Sequence, residues 1–196
     1  MTSKLKLAIA VAASLVVSAC VTVADAPSGQ YKVGDAYQVT LGQHWSDVSG
    51  LMARETPHVR VLTIDGPLLD RLYLTDGLAV GDYLLKPAAK ERPTPTFHAG
   101  MSPTERVEFI ADSVSALDYK KIETSNLRPA KLNDTDAVRF DLTGATKEGL
   151  DISGTAVVAE KGGRLLVVLY LAPTEHYFAA NLGEIEAIIK SARGAG

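Results

Sequence analysis

The chain carries seven consecutive apolar residues near its C-terminal end, Leu165-Leu166-Val167-Val168-Leu169-Tyr170-Leu171. Successive side chains of a strand point to opposite faces of a sheet, so a strand that is apolar at every position must be covered on both faces. The run closely follows Gly162-Gly163, and paired glycines tolerate the positive φ that tight hairpin turns require. The sequence therefore predicts a central strand that is entered through a tight turn.

The segments before this hairpin alternate between apolar and polar residues, which indicates strands with one solvated face. Every second residue is small or apolar in two successive segments: Val138, Phe140 and Leu142, then Leu150, Ile152, Gly154, Ala156 and Val158. The connection over residues 144–149 is short. We therefore expect these two segments to pair as antiparallel strands.

Two helices are predicted, and the first has the clearest start signal in the chain. Ser102-Pro103-Thr104-Glu105 supplies an N-cap hydroxyl, a proline at the first helical position and a glutamate that completes a capping box. An apolar stripe with helical spacing follows it: Val107, Ile110, Ala111, Val114 and Leu117. The second helical region opens at Pro173-Thr174-Glu175 and extends to about Ala192.

Further strands are predicted over residues 37–41, 59–64, 69–74 and 119–126, with Trp45 in the turn after the first of them. The order is strands, a helix, a run of antiparallel strands and a C-terminal helix. This order is typical of the α+β class, in which a mainly antiparallel β-sheet is packed by a central helix and a C-terminal helix. We expect one globular domain over residues 36–193.

The C-terminal third resembles the PsbP-like fold, named for an extrinsic subunit of the photosynthetic oxygen-evolving complex. The resemblance depends on the closing hairpin over residues 157–166, on Ala172-Pro173, on Tyr177-Phe178 and on Ile188-Ile189-Lys190-Ser191. It implies a fold and no function, because PsbP-like domains serve accessory and docking proteins of differing roles.

The N-terminal segment has the three zones of a secretory signal: Lys4 and Lys6, an apolar stretch from Leu7 to Val17, and small residues before a cleavage point. Its last four residues, Val17-Ser18-Ala19-Cys20, resemble the lipobox of bacterial lipoproteins. The resemblance implies that residues 1–19 are removed, that the Cys20 thiol takes a diacylglycerol and that the new amino group is acylated, as with palmitate. Several acyl chains hold a protein at a bilayer where one chain holds it only marginally.

Lipidation has three alternatives. A transmembrane helix needs about 20 apolar residues, and this run is shorter and lacks a basic flank. An ordinary cleaved signal peptide and a buried structural thiol are the other two. Val21, rather than aspartate, follows Cys20; by resemblance to lipoproteins, this favours the outer membrane, with the domain facing the periplasm. Residues 20–35 are mostly small and polar, and we expect them to form a flexible tether.

Charge argues against nucleic acid as a partner. Without residues 1–19 the chain keeps 18 basic and 23 acidic side chains. Phosphate backbones require a clustered basic face, and no basic run exceeds Lys120-Lys121.

Catalytic and metal motifs are weak. His44-Trp45-Ser46-Asp47 contains the residue types of a triad, but neighbouring residues point apart, and no Gly-x-Ser-x-Gly motif occurs. The histidines are far apart in the sequence, with none at the spacing of a zinc site: His44, His58, His98 and His176. Four aspartates do not have the spacing of a calcium-binding loop: Asp65, Asp70, Asp76 and Asp82. We therefore expect no enzyme activity, no metal site and no cofactor.

A proline-rich loop over residues 86–100 is the best binding candidate in the sequence. It places Phe97 and His98, followed by Met101, on a segment whose prolines exclude a helix interior. The alternative is an inert crossover whose Phe97 covers the edge of the core.

The leading hypothesis is a non-enzymatic, lipid-anchored accessory or adaptor protein of the cell envelope that binds another envelope protein. Two alternatives stay open. One is a carrier of a small apolar or lipid ligand held between sheet and helix, and the other is an unrecognised hydrolase that acts on cell-wall or lipid material.

Overall fold

The apolar run lies at the centre of a large antiparallel sheet in the computed structural model, which describes residues 23–52, 56–87, 93–117 and 119–195. Within those residues the sheet has eight strands, in the order β1-β4-β5-β6-β10-β9-β8-β7. The strands are β1 Ala24–Ala26, β4 Trp45–Asp47, β5 Val59–Thr63, β6 Arg71–Thr75, β7 Lys120–Leu132, β8 Thr135–Ala145, β9 Asp151–Lys161 and β10 Arg164–Pro173. A separate hairpin joins β2 Gly29–Val33 to β3 Tyr37–Leu41.

Strand β10 is buried on both faces, as the sequence predicts. Leu165, Val167, Leu169 and Leu171 belong to the core on one face. Leu166, Val168, Tyr170 and Ala172 belong to the core on the other. The turn before β10 uses Gly162 and Gly163 at φ 58° and 73°, so the predicted tight hairpin is confirmed.

Three α-helices are assigned in the described part of the chain: α1 Ser49–Met52, α2 Pro103–Ser115 and α3 Ala179–Ser191. The capping box of α2 is present, with Glu105 N donating to Ser102 Oγ at 3.2 Å and Ser102 N donating to Glu105 Oε2 at 2.7 Å. Helix α2 covers the first core. Helix α3 and the β2–β3 hairpin cover the second core. The α+β class with a mainly antiparallel sheet is confirmed.

The C-terminal helix begins later than the sequence predicts. Residues Thr174–Phe178 form a π-type turn that contains His176 at φ 70° and ψ −65°. This is a rare backbone conformation for a residue with a Cβ, and it breaks the helix that Pro173-Thr174-Glu175 would otherwise start. Regular α-helix therefore starts at Ala179.

The expected flexible tether over residues 20–35 needs correction. Its described part contains β1 and β2, and Ala26 and Val33 are buried. Ala24 and Ala26 lie opposite Asp47 and Trp45 of β4. Both strands are short and bury only their last residue, so they show no alternation in the sequence. Among the described residues, strand structure thus begins at Ala24, well before residue 36. Trp45 likewise starts β4 and is buried rather than lying in a turn.

Candidate functional site

The long edge strand β7 carries one of the exposed large apolar side chains of the described residues, Leu127. Its residues are mostly exposed, and its pairing with β8 is irregular between Ser125 and Arg128. Asn126 lies at φ 53° in that irregular stretch. A bulge of this kind re-aims the next side chain. Leu127, which follows it, is 55% exposed.

Leu127 lines a groove of about 340 Å³ between the β7–β8 pair and the N-terminal end of α2. Its walls are largely apolar: Leu127, Pro129, Ala137, Val138 and Pro103, with Arg106, Arg128 and Asp136 among them. The capping box fixes the start of α2 and thereby sets the position of Pro103. We call this feature the β7 groove.

Ion pairs hold the charged residues of the β7 groove. Arg106 Nη2 lies 3.4 Å from Glu160 Oε2, and Glu160 Oε1 also accepts a hydrogen bond from Gly100 N at 2.9 Å. Lys131 Nζ lies 2.8 Å from Asp136 Oδ1 at the exposed margin. An apolar floor with charged, oriented groups around it is the usual composition of a protein-binding patch.

The edge of β7 is protected against pairing with another strand. Pro129 has no N–H to donate, and Pro on an edge strand is a common means of blocking strand addition. The positive φ values at Lys121 and Asn126 interrupt the ladder further. The β7 edge is therefore poorly suited to the addition of another strand.

A second groove, of about 300 Å³, lies between α3 and the polar face of β7–β9. Arg139 Nη1 donates to Glu186 Oε2 at 2.7 Å, and Nη2 also contacts this carboxylate. Asp141 accepts hydrogen bonds from Asn126 at 2.9 Å and Thr155 at 3.1 Å. These charges are paired with one another, so the network fastens α3 to the sheet.

The pKa shifts in this network have clear causes. The hydrogen bond from Arg139 lowers the pKa of Glu186, and the same contact raises the pKa of Arg139. Burial by itself raises the pKa of Asp141, but hydrogen bonds from Asn126, Arg128 and Thr155 outweigh this effect and bring the pKa below its usual value. Each group is thus held in its charged form.

A third cluster surrounds His58. Its Nδ1 lies 2.7 Å from Asp76 Oδ1, and its Nε2 lies 3.9 Å from Asp82 Oδ2, beside a small pocket of about 220 Å³. Asp82 also accepts a hydrogen bond from Ala79 N at 2.7 Å. These contacts tie the loop after β6 to the start of β5.

The proposed binding loop is largely buried. Phe97 is 1% exposed, and its N–H donates to Asp82 O at 2.8 Å. Met101 is also buried, whereas His98 is exposed. The expectation that Phe97 and Met101 face a partner is therefore corrected in favour of the alternative, in which Phe97 covers the core. The lipobox residues Val17, Ser18, Ala19 and Cys20 lie outside the described residues.

The residue types of a triad around Trp45 do not converge. His44 Nε2 contacts Asp25, whereas Asp47 Oδ2 accepts a hydrogen bond from Tyr31 at 2.7 Å and Asp47 Oδ1 accepts one from Ser49 N at 2.9 Å. Among the described residues, no three His, Cys, Asp or Glu side chains are grouped so as to hold a metal ion. Within the same residues no helix is long and apolar enough to cross a membrane.

The β7 groove was missed in the sequence because the strand was predicted to end at Asn126. Its signal is the tetrapeptide Asn126-Leu127-Arg128-Pro129, a large apolar residue between a bulge-forming asparagine and an edge proline. The groove itself needs α2 to lie beside β7 and β8. That contact joins parts of the chain that no local pattern connects.

No protein-family model matches the chain, and no curated relative matches it. Solved structures do. The PsbP homologue CyanoP of Synechocystis sp. PCC 6803 has 10% identity and a TM-score of 0.55, with 91% of this chain and 96% of that chain covered. The Ran-binding protein Mog1p of Saccharomyces cerevisiae has 10% identity and a TM-score of 0.50, with 88% and 95% covered.

LpqN of Mycobacterium tuberculosis, described as involved in cell envelope biogenesis, also matches at 10% identity, with 87% and 90% covered and a TM-score of 0.35. The likeness to CyanoP shows the fold: this chain has a PsbP-like α+β fold. At this identity a shared fold does not transfer a function.

Proposed function

We propose that this chain is a non-enzymatic accessory lipoprotein of the bacterial envelope, which binds another envelope protein through the β7 groove. Lipid on Cys20 anchors the protein in the outer membrane, the location that Val21 favours, and the domain faces the periplasm. The observation that carries the binding part is the exposure of Leu127 over an apolar groove with a charged margin. Exposed apolar patches rimmed by polar groups mark interaction sites.

The occupant that fits this groove is an apolar side chain presented by a helix or loop of the partner. Strand addition is disfavoured by Pro129 and by the bulge at Asn126. Arg128 and Lys131 beside the groove provide donors for polar groups around such an anchor. The same fold serves a Ran-binding protein in yeast, so it is compatible with a protein-binding role.

A photo-crosslinking residue at position 136, on the exposed margin of the groove, tests the binding part in cells. It is placed in the parent chain, in Leu127→Asp and in Leu150→Asp, whose leucine is exposed to a similar degree in the connection between β8 and β9. We expect one adduct, identified by mass spectrometry as an envelope protein, that is lost in Leu127→Asp and kept in Leu150→Asp. An adduct that survives both changes, or no adduct in the parent chain, contradicts binding at this groove.

The carrier function has one observation in its favour. The β7 groove has largely apolar walls, as small-molecule sites do. Its volume of about 340 Å³ lies at the lower end of the range for such sites, about 300–1,000 Å³. The groove between α3 and the sheet is less favourable for a lipid tail, because the charged side chains of Arg139, Asp141 and Glu186 line it together with Phe178 and Leu182. Native mass spectrometry of the purified protein distinguishes the two functions, since a carrier retains a small ligand of defined mass.

A further inference from the structure

The folded domain starts very close to the anchor. Only three residues, 21–23, separate Cys20 from Ala24, the first residue of β1. At about 3.3–3.6 Å per extended residue, Ala24 lies at most about 14 Å from Cys20 along the chain. The headgroup layer of a leaflet is about 6 Å thick. If Cys20 carries lipid, the start of β1 is therefore held within about 8 Å of the bilayer surface.

Strand β1 is one edge of the sheet, and the β7 groove lies at the other. The described sheet places seven strand-to-strand steps between β1 and β7. At about 4.8 Å per step, this distance amounts to about 34 Å. The anchor and the groove are thus at opposite ends of the domain.

The anchored edge presents two exposed aliphatic side chains. Val23 is 52% exposed and directly precedes β1. Ala24 lies opposite Asp47, so the chain before β1 runs beside the end of β4 from which Val48 and α1 continue. Leu51 of α1 is 47% exposed, and its N–H donates to Val48 O at 2.9 Å. Both side chains therefore belong to one end of the same sheet edge.

We propose that this edge, formed by β1 and α1, lies on the membrane surface with Val23 and Leu51 towards the lipid, and that the β7 groove points away from the bilayer. This inference rests on the proposed lipidation of Cys20. Partial burial of aliphatic side chains at the headgroup boundary adds to the hold of the acyl chains. The shortness of the connection then limits the orientations of the domain, which a long flexible tether would leave free.

Quenching by the bilayer tests this orientation in the lipidated full-length protein, reconstituted in phosphatidylethanolamine and phosphatidylglycerol vesicles. Cys20 is the only cysteine and its thiol is consumed by the lipid, so one introduced cysteine can be labelled alone. A fluorophore is attached in Leu51→Cys, Leu127→Cys and Leu150→Cys, and lipids with a nitroxide near the headgroup are added. We expect loss of fluorescence in Leu51→Cys and none in the other two.

A linker variant provides the second test. Inserting fifteen Gly/Ser residues after Val21 adds a root-mean-square reach of about 20 Å. We expect the quenching at Leu51→Cys to fall to the level of Leu150→Cys. Equal quenching at all three positions, or quenching at Leu51→Cys that the linker does not reduce, overturns the orientation.

The two proposals fail in different ways. Intact mass of the mature protein reports lipidation directly, so an unmodified N-terminus contradicts the lipoprotein assignment before any quenching is measured. If the protein is lipidated but the probe at Leu51→Cys is not quenched, the lipoprotein assignment stands and only the proposed orientation is contradicted. Circular dichroism of each variant confirms that the labelled proteins are folded.

Discussion

Replacing Glu186 by glutamine removes one charge from the ion pair that fastens α3 to the sheet and leaves the shape of the side chain unchanged. The Arg139 side chain is 13% exposed and that of Glu186 is 34% exposed. A surface pair contributes about 0.2–1 kcal/mol. Removing one partner of a fully buried pair costs about 3–5 kcal/mol. The Arg139–Glu186 pair lies between these limits.

The two partners should respond unequally. Glu186→Gln leaves a mostly buried guanidinium without its carboxylate, and we expect it to cost about 2 kcal/mol. Arg139→Met leaves a carboxylate that water can reach, so we expect a cost of about 1 kcal/mol. For a domain of this size, a cost of 2 kcal/mol lowers Tm by about 4–8 °C.

Urea unfolding at pH 7, followed by circular dichroism on the Cys20→Ser protein, measures these costs, and the double variant completes a thermodynamic cycle. The exposed pair Lys131–Asp136 serves as control, where Lys131→Met should leave the midpoint unchanged. If Arg139→Met costs as much as Glu186→Gln, or if the coupling energy is below about 0.5 kcal/mol, the assignment of the cost to burial of the guanidinium is wrong.

Four further predictions concern the anchor, the core, the cap of α2 and the response to acid. Cys20→Ser should abolish partitioning into the detergent phase, and unchanged partitioning contradicts lipidation. Leu169→Ala should cost about 2–5 kcal/mol in urea unfolding because Leu169 is fully buried, and a cost below 1 kcal/mol contradicts its place in the core. Ser102→Ala should cost about 1 kcal/mol through loss of the N-cap, whereas Ser102→Asp, which also caps, should cost less. Because the folded pKa of Glu186 is lowered, its stabilisation is present above the unfolded pKa of about 4.3 and is lost as pH falls through the folded pKa, so acid titration of Glu186→Gln should show a shallower loss of stability than the parent chain.

The elements that local chemistry specifies were predictable from the sequence. The hairpin at Gly162-Gly163 follows from the positive φ of both glycines, and the start of α2 follows from its capping box. The double burial of β10 follows from its unbroken apolar run.

The remaining elements depend on partners distant in sequence. Strand β1 buries only Ala26, and it forms because β4 offers a free edge. In the sequence, Phe97 stands in a proline-rich segment that predicts a surface loop. In the structure, backbone hydrogen bonds with Gly81 and Asp82 hold Phe97 in place, and its side chain is buried in the core. The β7 groove exists only because α2 and β7 come together in the folded domain.

The two edges of the sheet are built differently, and this difference connects the anchor with the proposed binding role. The β7 edge is long and is interrupted by Pro129 and by the bulge at Asn126, so it resists pairing with another strand while keeping Leu127 exposed. The β1 edge is three residues long and offers few free backbone groups. A membrane against β1 would cover that short edge, and it would leave the protected β7 edge, about 34 Å away, as the one that meets other proteins. Moving Cys20, the proposed lipidation site, to the β7 side by circular permutation should therefore abolish partner crosslinking from position 136 while the domain stays folded and anchored.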